Sequence, residues 1–379
     1  MRPLEGITVV SLEHAIAAPF ATRQLADLGA RVIKIERPDV GDFARSYDER
    51  VDGLSSHFIW CNRSKESLAL DLKSDLGMKV LDALLTKADV FVQNLAPGAV
   101  DRMGFGYSAI KDRFPGLIMC EISGYGQDGP DRDRKAYDLL IQAESGFLSV
   151  TGTPDEMVKA GCSIADIAAG MYAYSNILAA LIERSKTGKG RHIDISMLEA
   201  MAEWMGHPMY YAYGGAPQPP RVGANHATIY PYGPFPTLDG EVVFAIQNER
   251  EWNAFCRDVL NDPAVAIAPR FSSTSARSAN RAELKAMICK HFSETPRDIL
   301  LARLDAASIA NANAKDMAQL WEHPQLAARE RWTEVETPIG RVRALLPPGQ
   351  NAARMDGVPP LGAHTQAILD ELGLGGARS

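Results

Sequence analysis

The first 125 residues alternate short β-branched runs with stretches of helical periodicity. ITVVSL (7–12) predicts a strand, AAPFATRQLADLGA (17–30) a helix, and RVIKIERP (31–38) a second strand that its proline ends. SLALDL (67–72), a helix near 75–88, ADVFVQNL (88–95) and, after another helix, LIMCEIS (117–123) continue the alternation. Strands separated by helical stretches of this length predict βαβ units and a mainly parallel sheet, so the expected fold class is α/β. From Ser163 to Lys186 one long helix is expected, with Ile167, Met171, Tyr174, Leu178 and Leu181 recurring on one face at spacings of four and three. Gly188 and Gly190 stop it, RHIDIS reads as a further strand, and a helix follows from about Met197 to Tyr213.

GGAPQPPRVG (214–223) then has the composition of a hinge and marks a lobe boundary. Beyond it, YGPFPTLDGEVVFAI (232–246) predicts a hairpin turning at Asp239-Gly240, followed by helical stretches around 249–260 and 280–305. PPLGAHTQAILDELGL (359–374) predicts a terminal helix entered through Thr365. Two lobes suit a chain of 379 residues, which exceeds the size at which one hydrophobic core keeps growing.

Composition narrows the partners. Hydrophobic residues make up 46% and charged residues 23%, the balance of a folded globular protein. A net charge of -7 argues against nucleic acid, whose phosphates want a basic face. Five scattered cysteines show no C-x-x-C pair and no zinc spacing, so free thiols and no metal are expected. The N-terminus has no basic segment followed by an apolar one, and the apolar run Ile167–Ile182 is 16 residues long with Ser175 and Asn176 inside it. Crossing a bilayer takes about 20 apolar residues. A soluble cytoplasmic protein with no membrane partner is the expectation.

Familiar catalytic signatures are absent: no phosphate loop, no nucleophile elbow, no zinc helix. The turn after the first strand reads EHAIAAPF in place of a glycine-rich dinucleotide loop, which leaves Glu36 alone as a candidate ribose-binding acid. Asp166 stands three residues after Ser163, at the start of the long helix. That S-x-x-D pattern reads as a capping-box-like helix start. The same position also allows a second reading, a carboxylate held ionised and oriented by the helix N-terminus, with Gly161, Ala165 and Ala168 leaving room for a substrate.

Several long segments resemble the class III (CaiB/BaiF-type) coenzyme A transferases. They are PLEGITVVSLEHAIAAPFATRQLADLGARVIKIERP, NRSKESLALDLK, FVQNLAPGAVDRMGFGY, ADIAAG, IERSKTGKGRHIDISMLEA, PYGPFPTLDG and PPLGAHTQAILDELG, running from Pro3 to about Gly373. The resemblance implies a Rossmann-like CoA-binding domain from 1–215 and 315–379, a small domain over 225–310, linkers at 214–224 and 311–314, and an interlocked homodimer. By the same resemblance Asp166 is the catalytic aspartate, and contacts to CoA map onto Arg37, Lys73, Asn94, Arg102, Lys135 and Tyr137. Ile16, Asp138 and His226 are candidate substrate contacts. No permanently bound cofactor is implied; CoA and acyl-CoA are substrates. The implied chemistry runs through aspartyl anhydrides and an aspartyl-CoA thioester, with backbone N–H groups of the helix start as candidate oxyanion donors.

The departures matter. Ile16 stands where formate and oxalate transferases carry glutamine, and RVGANHATIYPYG replaces their run of glycines. An α-methylacyl-CoA racemase on the same fold is the rival reading, but Tyr137 stands where its histidine would be, and a phenol is a poor general base at neutral pH. VDGLSSHFIWCNRSKESLALDLK resembles the subgroup acting on C4–C5 dicarboxylates such as succinate, mesaconate or itaconate. The carboxylate that does not react then needs a cation, with Arg45, Arg50 and Arg63 as candidates left open by spacing.

Overall fold

The computed structural model describes residues 1–375, which divide into two compact units. The larger comprises Met1–Gly146, Ala160–Met205 and the described residues from Leu326 onward. Its framework is β1 (Thr8–Leu12), α1 (Ala17–Asp27), β2 (Arg31–Glu36), β3 (Lys65–Ala69), α2 (Asp75–Lys87), β4 (Val90–Gln93) and β5 (Ile118–Ser123). It continues through α3 (Asp138–Glu144), α4 (Ile164–Thr187), β6 (His192–Ser196) and the terminal α5 (Thr365–Glu371). The six strands are all parallel, in the order 3-2-1-4-5-6 of a doubly wound dinucleotide-type fold. On one face Val10, Leu12, Ile33, Ile35, Phe91 and Met119 pack against Val80, Leu81, Leu84 and Leu85 of α2 and Ile368 of α5. Burial on both faces explains why these strands read as apolar runs without alternation.

α4 packs on α1 through small residues. Ala165, Ala168, Ala169, Gly170, Ala173, Ile177 and Ala180 are its buried positions. A methyl group on Gly170 would lie 2.7 Å from the Ala17 carbonyl, so the two backbones meet too closely for any side chain there. The larger apolar stripe picked out by periodicity lies on another face and stays partly uncovered, with Met171 exposed and Ile167, Tyr174, Leu178 and Leu181 half-buried. By length and composition this helix could cross a membrane, yet its alanine face serves the core of the unit.

The smaller unit comprises Phe147–Lys159 and Gly206–Gln325. Its antiparallel sheet is β7 (Tyr232–Pro236), β8 (Glu241–Ala245) and β9 (Ala310–Ala312), and its core gathers Trp252, Phe235, Phe244, Phe255 and Phe292. The hairpin turns where Asp239-Gly240 predicts. The unit's main segment runs over Gly206–Gln325, where the sequence suggests a small domain over 225–310, and Phe147–Lys159 joins it. That last segment is held by Gly223 N–H donating to Gly152 O and by Arg221 donating to the carbonyls of Thr153 and Pro154. In the larger unit the hairpin β10 (Trp332–Thr337) and β11 (Gly340–Leu345) has no counterpart among the predicted elements.

Candidate active site

The strand order reverses between β1 and β4, the place where open α/β sheets form a crevice. There the β1–α1 turn is clamped. Asn94, just past β4, donates its Nδ2 to His14 O (2.9 Å) and accepts from His14 N–H at its Oδ1 (3.0 Å). Ala15 holds a left-handed backbone (φ 64°) and donates its N–H to Asp42 Oδ1 at 3.1 Å. Such a conformation costs a non-glycine residue of order 1 kcal/mol and persists because its neighbours hold it. Asn94 therefore shapes the turn, and its amide is already engaged on one edge. Ile16, buried at the start of α1, is a wall of that turn.

Beneath the turn lies a closed layer of buried charge. Lys34 Nζ meets Asp42 at 2.6 Å, and Lys65 Nζ meets Glu13 at 2.6 Å while also donating to Pro19 O and Asn62 Oδ1. Glu36 accepts from Arg45 at both oxygens (2.7 and 2.8 Å), from Ser67 Oγ and from Asp42 N–H. Burial pushes the Glu36 carboxyl up, but the Arg45 and Lys34 cations outweigh it and bring it down to about 2. Glu36 is thus saturated by protein groups, which removes it as a ribose-binding acid.

Asp166 is the opposite case. It sits in the first turn of α4, partly exposed, and among the described residues no protein group donates to its carboxylate. Ser163 does not cap the helix. The cap comes from α3: Asp138 Oδ1 accepts Ala165 N–H at 2.8 Å, while Oδ2 accepts from Gln142 at 2.6 Å. Burial, and then the neighbouring Asp138 charge, push the Asp166 carboxyl up to about 7. The sequence predicts a carboxylate held ionised by the helix N-terminus; desolvation and the second acid outweigh that effect. Two first-turn N–H groups are already occupied, Ile164 by Cys162 O and Ala165 by Asp138, so the helix start offers fewer oxyanion donors than expected. Tyr47 lies within electrostatic reach of Asp42, Asp166 and Tyr137, and it belongs to a run of rings from His14 through Phe43 to His57.

The remaining candidates separate by place. Arg37, Lys73, Asn94, Lys135 and Tyr137 lie on loops or turns after the carboxyl ends of β2, β3, β4 and β5, and Arg102 ends the short helix Ala99–Arg102 that follows β4. Arg37 is exposed and donates to Gly41 O, while Lys73, Arg102 and Lys135 are exposed with no side-chain partner among the described residues. Tyr137 is 67% exposed immediately before α3. Asp138 is tied down as the cap. His226 belongs to the smaller unit, where its Nδ1 accepts the N–H groups of Thr228 and Ile229 and its ring stacks on Tyr232 at 5.2 Å, a structural role. Arg63 is buried in a bidentate pair with Asp27, and Arg45 grips Glu36, so neither is available to a substrate carboxylate. Arg50 remains, its guanidinium without a partner among the described residues. No cluster of three metal-ligating side chains occurs among the described residues.

The chain matches CoA-transferase family III over residues 4–365. It belongs to that family. The human succinyl-CoA:glutarate CoA-transferase is 34% identical to it, over 98% of this chain and 86% of the human one. The succinyl-CoA:mesaconate CoA-transferase of Haloarcula marismortui is 31% identical over 99% and 97% of the two chains. A crystal structure of a CaiB/BaiF family protein from Brucella suis superposes with a TM-score of 0.86 at 33% identity, covering 98% of this chain and 99% of that one. The protein is accordingly an enzyme, a CoA-transferase.

Proposed function

We propose that this transferase moves CoA from a C4–C5 dicarboxyl-CoA to a dicarboxylic acid through covalent intermediates on Asp166. The observation that carries the proposal is the state of that carboxyl: reachable, without donors, and raised to about 7 by burial and Asp138. A carboxylate of raised basicity is the better nucleophile, and near neutral pH a large fraction of it is ionised. Its oxygen attacks the thioester carbonyl and expels CoA thiolate, giving a mixed anhydride. The thiolate attacks the aspartyl carbonyl, releasing the donor carboxylate and leaving an aspartyl-CoA thioester. The acceptor carboxylate attacks that carbonyl and displaces CoA, which then attacks the acceptor acyl carbon and regenerates Asp166. Every intermediate is activated to a similar degree, so the sequence of steps balances without ATP.

The dicarboxylate preference rests on the likeness to transferases named for succinyl-CoA with glutarate and with mesaconate. It fits the one unengaged guanidinium of the three sequence candidates, that of Arg50. Glutarate and mesaconate are the acceptors to test first, with itaconate beside them. Exposed Met171 and Ile182 on α4, and Leu139 and Leu140 on α3, favour a homodimer in which a second copy covers these faces in the interlocked manner of the family. A cytoplasmic location accords with five free cysteines.

A panel of acyl-CoA donors against carboxylate acceptors, read by mass spectrometry of the CoA products, tests the reaction. Succinyl-CoA is expected to outperform butyryl-CoA as donor; the reverse order in kcat/KM removes the dicarboxylate claim and leaves the transferase intact. Donor with hydroxylamine is expected to place label on Asp166, and label on another residue removes its covalent role. Incubation of a chiral 2-methylacyl-CoA in deuterated water is expected to give no α-deuterium.

A further inference from the structure

The segment after β5 carries three cationic side chains, Arg132, Arg134 and Lys135, whose surroundings differ. Arg134 is tied to Glu144 at 2.7 Å and to Asp131 at 3.3 Å, and it lies over the Tyr125 ring. Lys135 projects into solvent. Arg132 turns another way, toward the segment after β4. A methyl group built on Gly98 would lie 3.2 Å from Arg102 Nη1 and 3.4 Å from Arg132 Nη2. Two guanidinium groups thus converge on one point of backbone, where Gly98 has φ 71° and no side chain intervenes.

Protein carboxylates answer these two guanidinium groups only loosely. Arg132 Nε is shut off from solvent with no hydrogen-bond partner, and its nearest carboxylate, Asp133, stands 3.5 Å away and 84% exposed. Asp101 Oδ2 lies 4.0 Å from the same point, while its other oxygen lies against Gly106. Arg102 has no carboxylate within ion-pair distance among the described residues. Two like charges held together without a bridging anion repel, and a doubly charged oxyanion between them resolves the repulsion. Both loops leave the carboxyl ends of neighbouring parallel strands, β4 and β5, at the crevice edge.

We propose that Arg132 joins Arg102 in a two-guanidinium clamp, seated over Gly98, for a phosphate group of CoA. The inference rests on the transferase reading and adds to it a binding residue outside the set that the resemblance supplies. Planar forks suit phosphate oxygens better than the point charge of an ammonium, which makes the identity of residue 132 as important as its charge.

Calorimetric titration of CoA, dephospho-CoA and pantetheine into the wild-type chain, Arg132→Ala and Arg132→Lys tests the clamp, together with KM values for the matching succinyl thioesters. Arg132→Ala is expected to weaken CoA about 10-fold to 100-fold, the loss of one or two charge-assisted hydrogen bonds. Arg132→Lys should recover part of that loss, and pantetheine and its thioester should be unaffected. If dephospho-CoA weakens as CoA does, the clamp holds the diphosphate; if it is spared, the clamp holds the 3′-phosphate. CoA binding to Arg132→Ala within twofold of wild type, at unchanged Tm, overturns the proposal, as does an equal loss for pantetheine. A wild-type chain that binds no CoA at all would instead remove the transferase reading, and the clamp with it.

Discussion

The buried charges between β1, β2 and β3 are all answered by partners, whereas those at the start of α4 and along the neighbouring loops are not. Glu13, Lys34, Asp42 and Lys65 are wholly enclosed, and Glu36 accepts from four donor groups. Asp166 accepts from no protein donor and Arg102 has no carboxylate within ion-pair distance among the described residues, while Arg132 has only the exposed Asp133 at 3.5 Å. Both regions contain carboxylates close to cations or acids of the same sheet edge. The difference is that one set is closed by side chains of the protein and the other is open to a molecule that the protein does not contain. Closed charge sets shape; it holds the strained Ala15 turn and the 42–46 segment in place. Open charge is where chemistry and binding can occur.

The largest expected effect tests the open side. Asp166→Ala and Asp166→Asn should each lose about 10⁴-fold or more in transfer rate, since neither retains the nucleophile. A tenth of wild-type turnover in either variant would end the covalent role. Stability should move the other way. A carboxyl raised to about 7 in the fold, against an ordinary value near 3.8, penalises the folded state increasingly as pH rises between those values. Asp166→Asn is therefore expected to raise Tm at pH 8 relative to wild type and to leave it nearly unchanged at pH 4.

On the closed side, Glu36→Gln should cost about 3–5 kcal/mol, because it leaves the Arg45 and Lys34 charges buried beside a neutral amide. Urea unfolding at neutral pH measures it. Glu36 lies at about 2, below its ordinary 4.5, so its contribution is present above 4.5 and fades as pH falls toward 2. The gap between variant and wild type should close over that window; a gap that persists there would mean the closed layer is not electrostatic in origin.

Asp138→Asn joins the two regions. The amide oxygen can still cap Ala165 N–H, but the charge beside Asp166 is gone. In wild type kcat/KM should fall on the acid side with a midpoint near 7; in the variant that midpoint should move to lower pH. An unmoved limb would assign the raised value to burial alone. Arg50→Gln has the smallest expected effect, a rise of about 10-fold in KM for succinyl-CoA with butyryl-CoA unchanged. Equal changes for both donors would separate Arg50 from the distal carboxylate.

The parallel sheet, the long helix bearing Asp166, the β7–β8 hairpin and the terminal helix were legible because each rests on a local period or turn dipeptide. The β10–β11 hairpin was not, since only Val335 among its twelve paired positions is fully buried, and an exposed ribbon prints a weak pattern. The helix from Met197 was expected to continue to Tyr213, but it ends at Trp204 and a separate helix begins at Gly206.

Amino-acid order alone determined the α/β class, the position of Asp166 at a helix start, and the set of loops on which the cationic candidates lie. Only the tertiary structure decided which of those groups are free. Asp27 captures Arg63 from 36 residues away, Pro359 O holds Arg45 across 314, and Asp138 caps α4 from 27 residues before it. It also turned Arg132, unremarked in the sequence, onto Gly98 beside Arg102. The physical reason is one of range. Backbone periodicity is written by neighbours within a few residues, whereas the charge state and availability of a side chain depend on which distant groups the fold brings within about 4 Å of it.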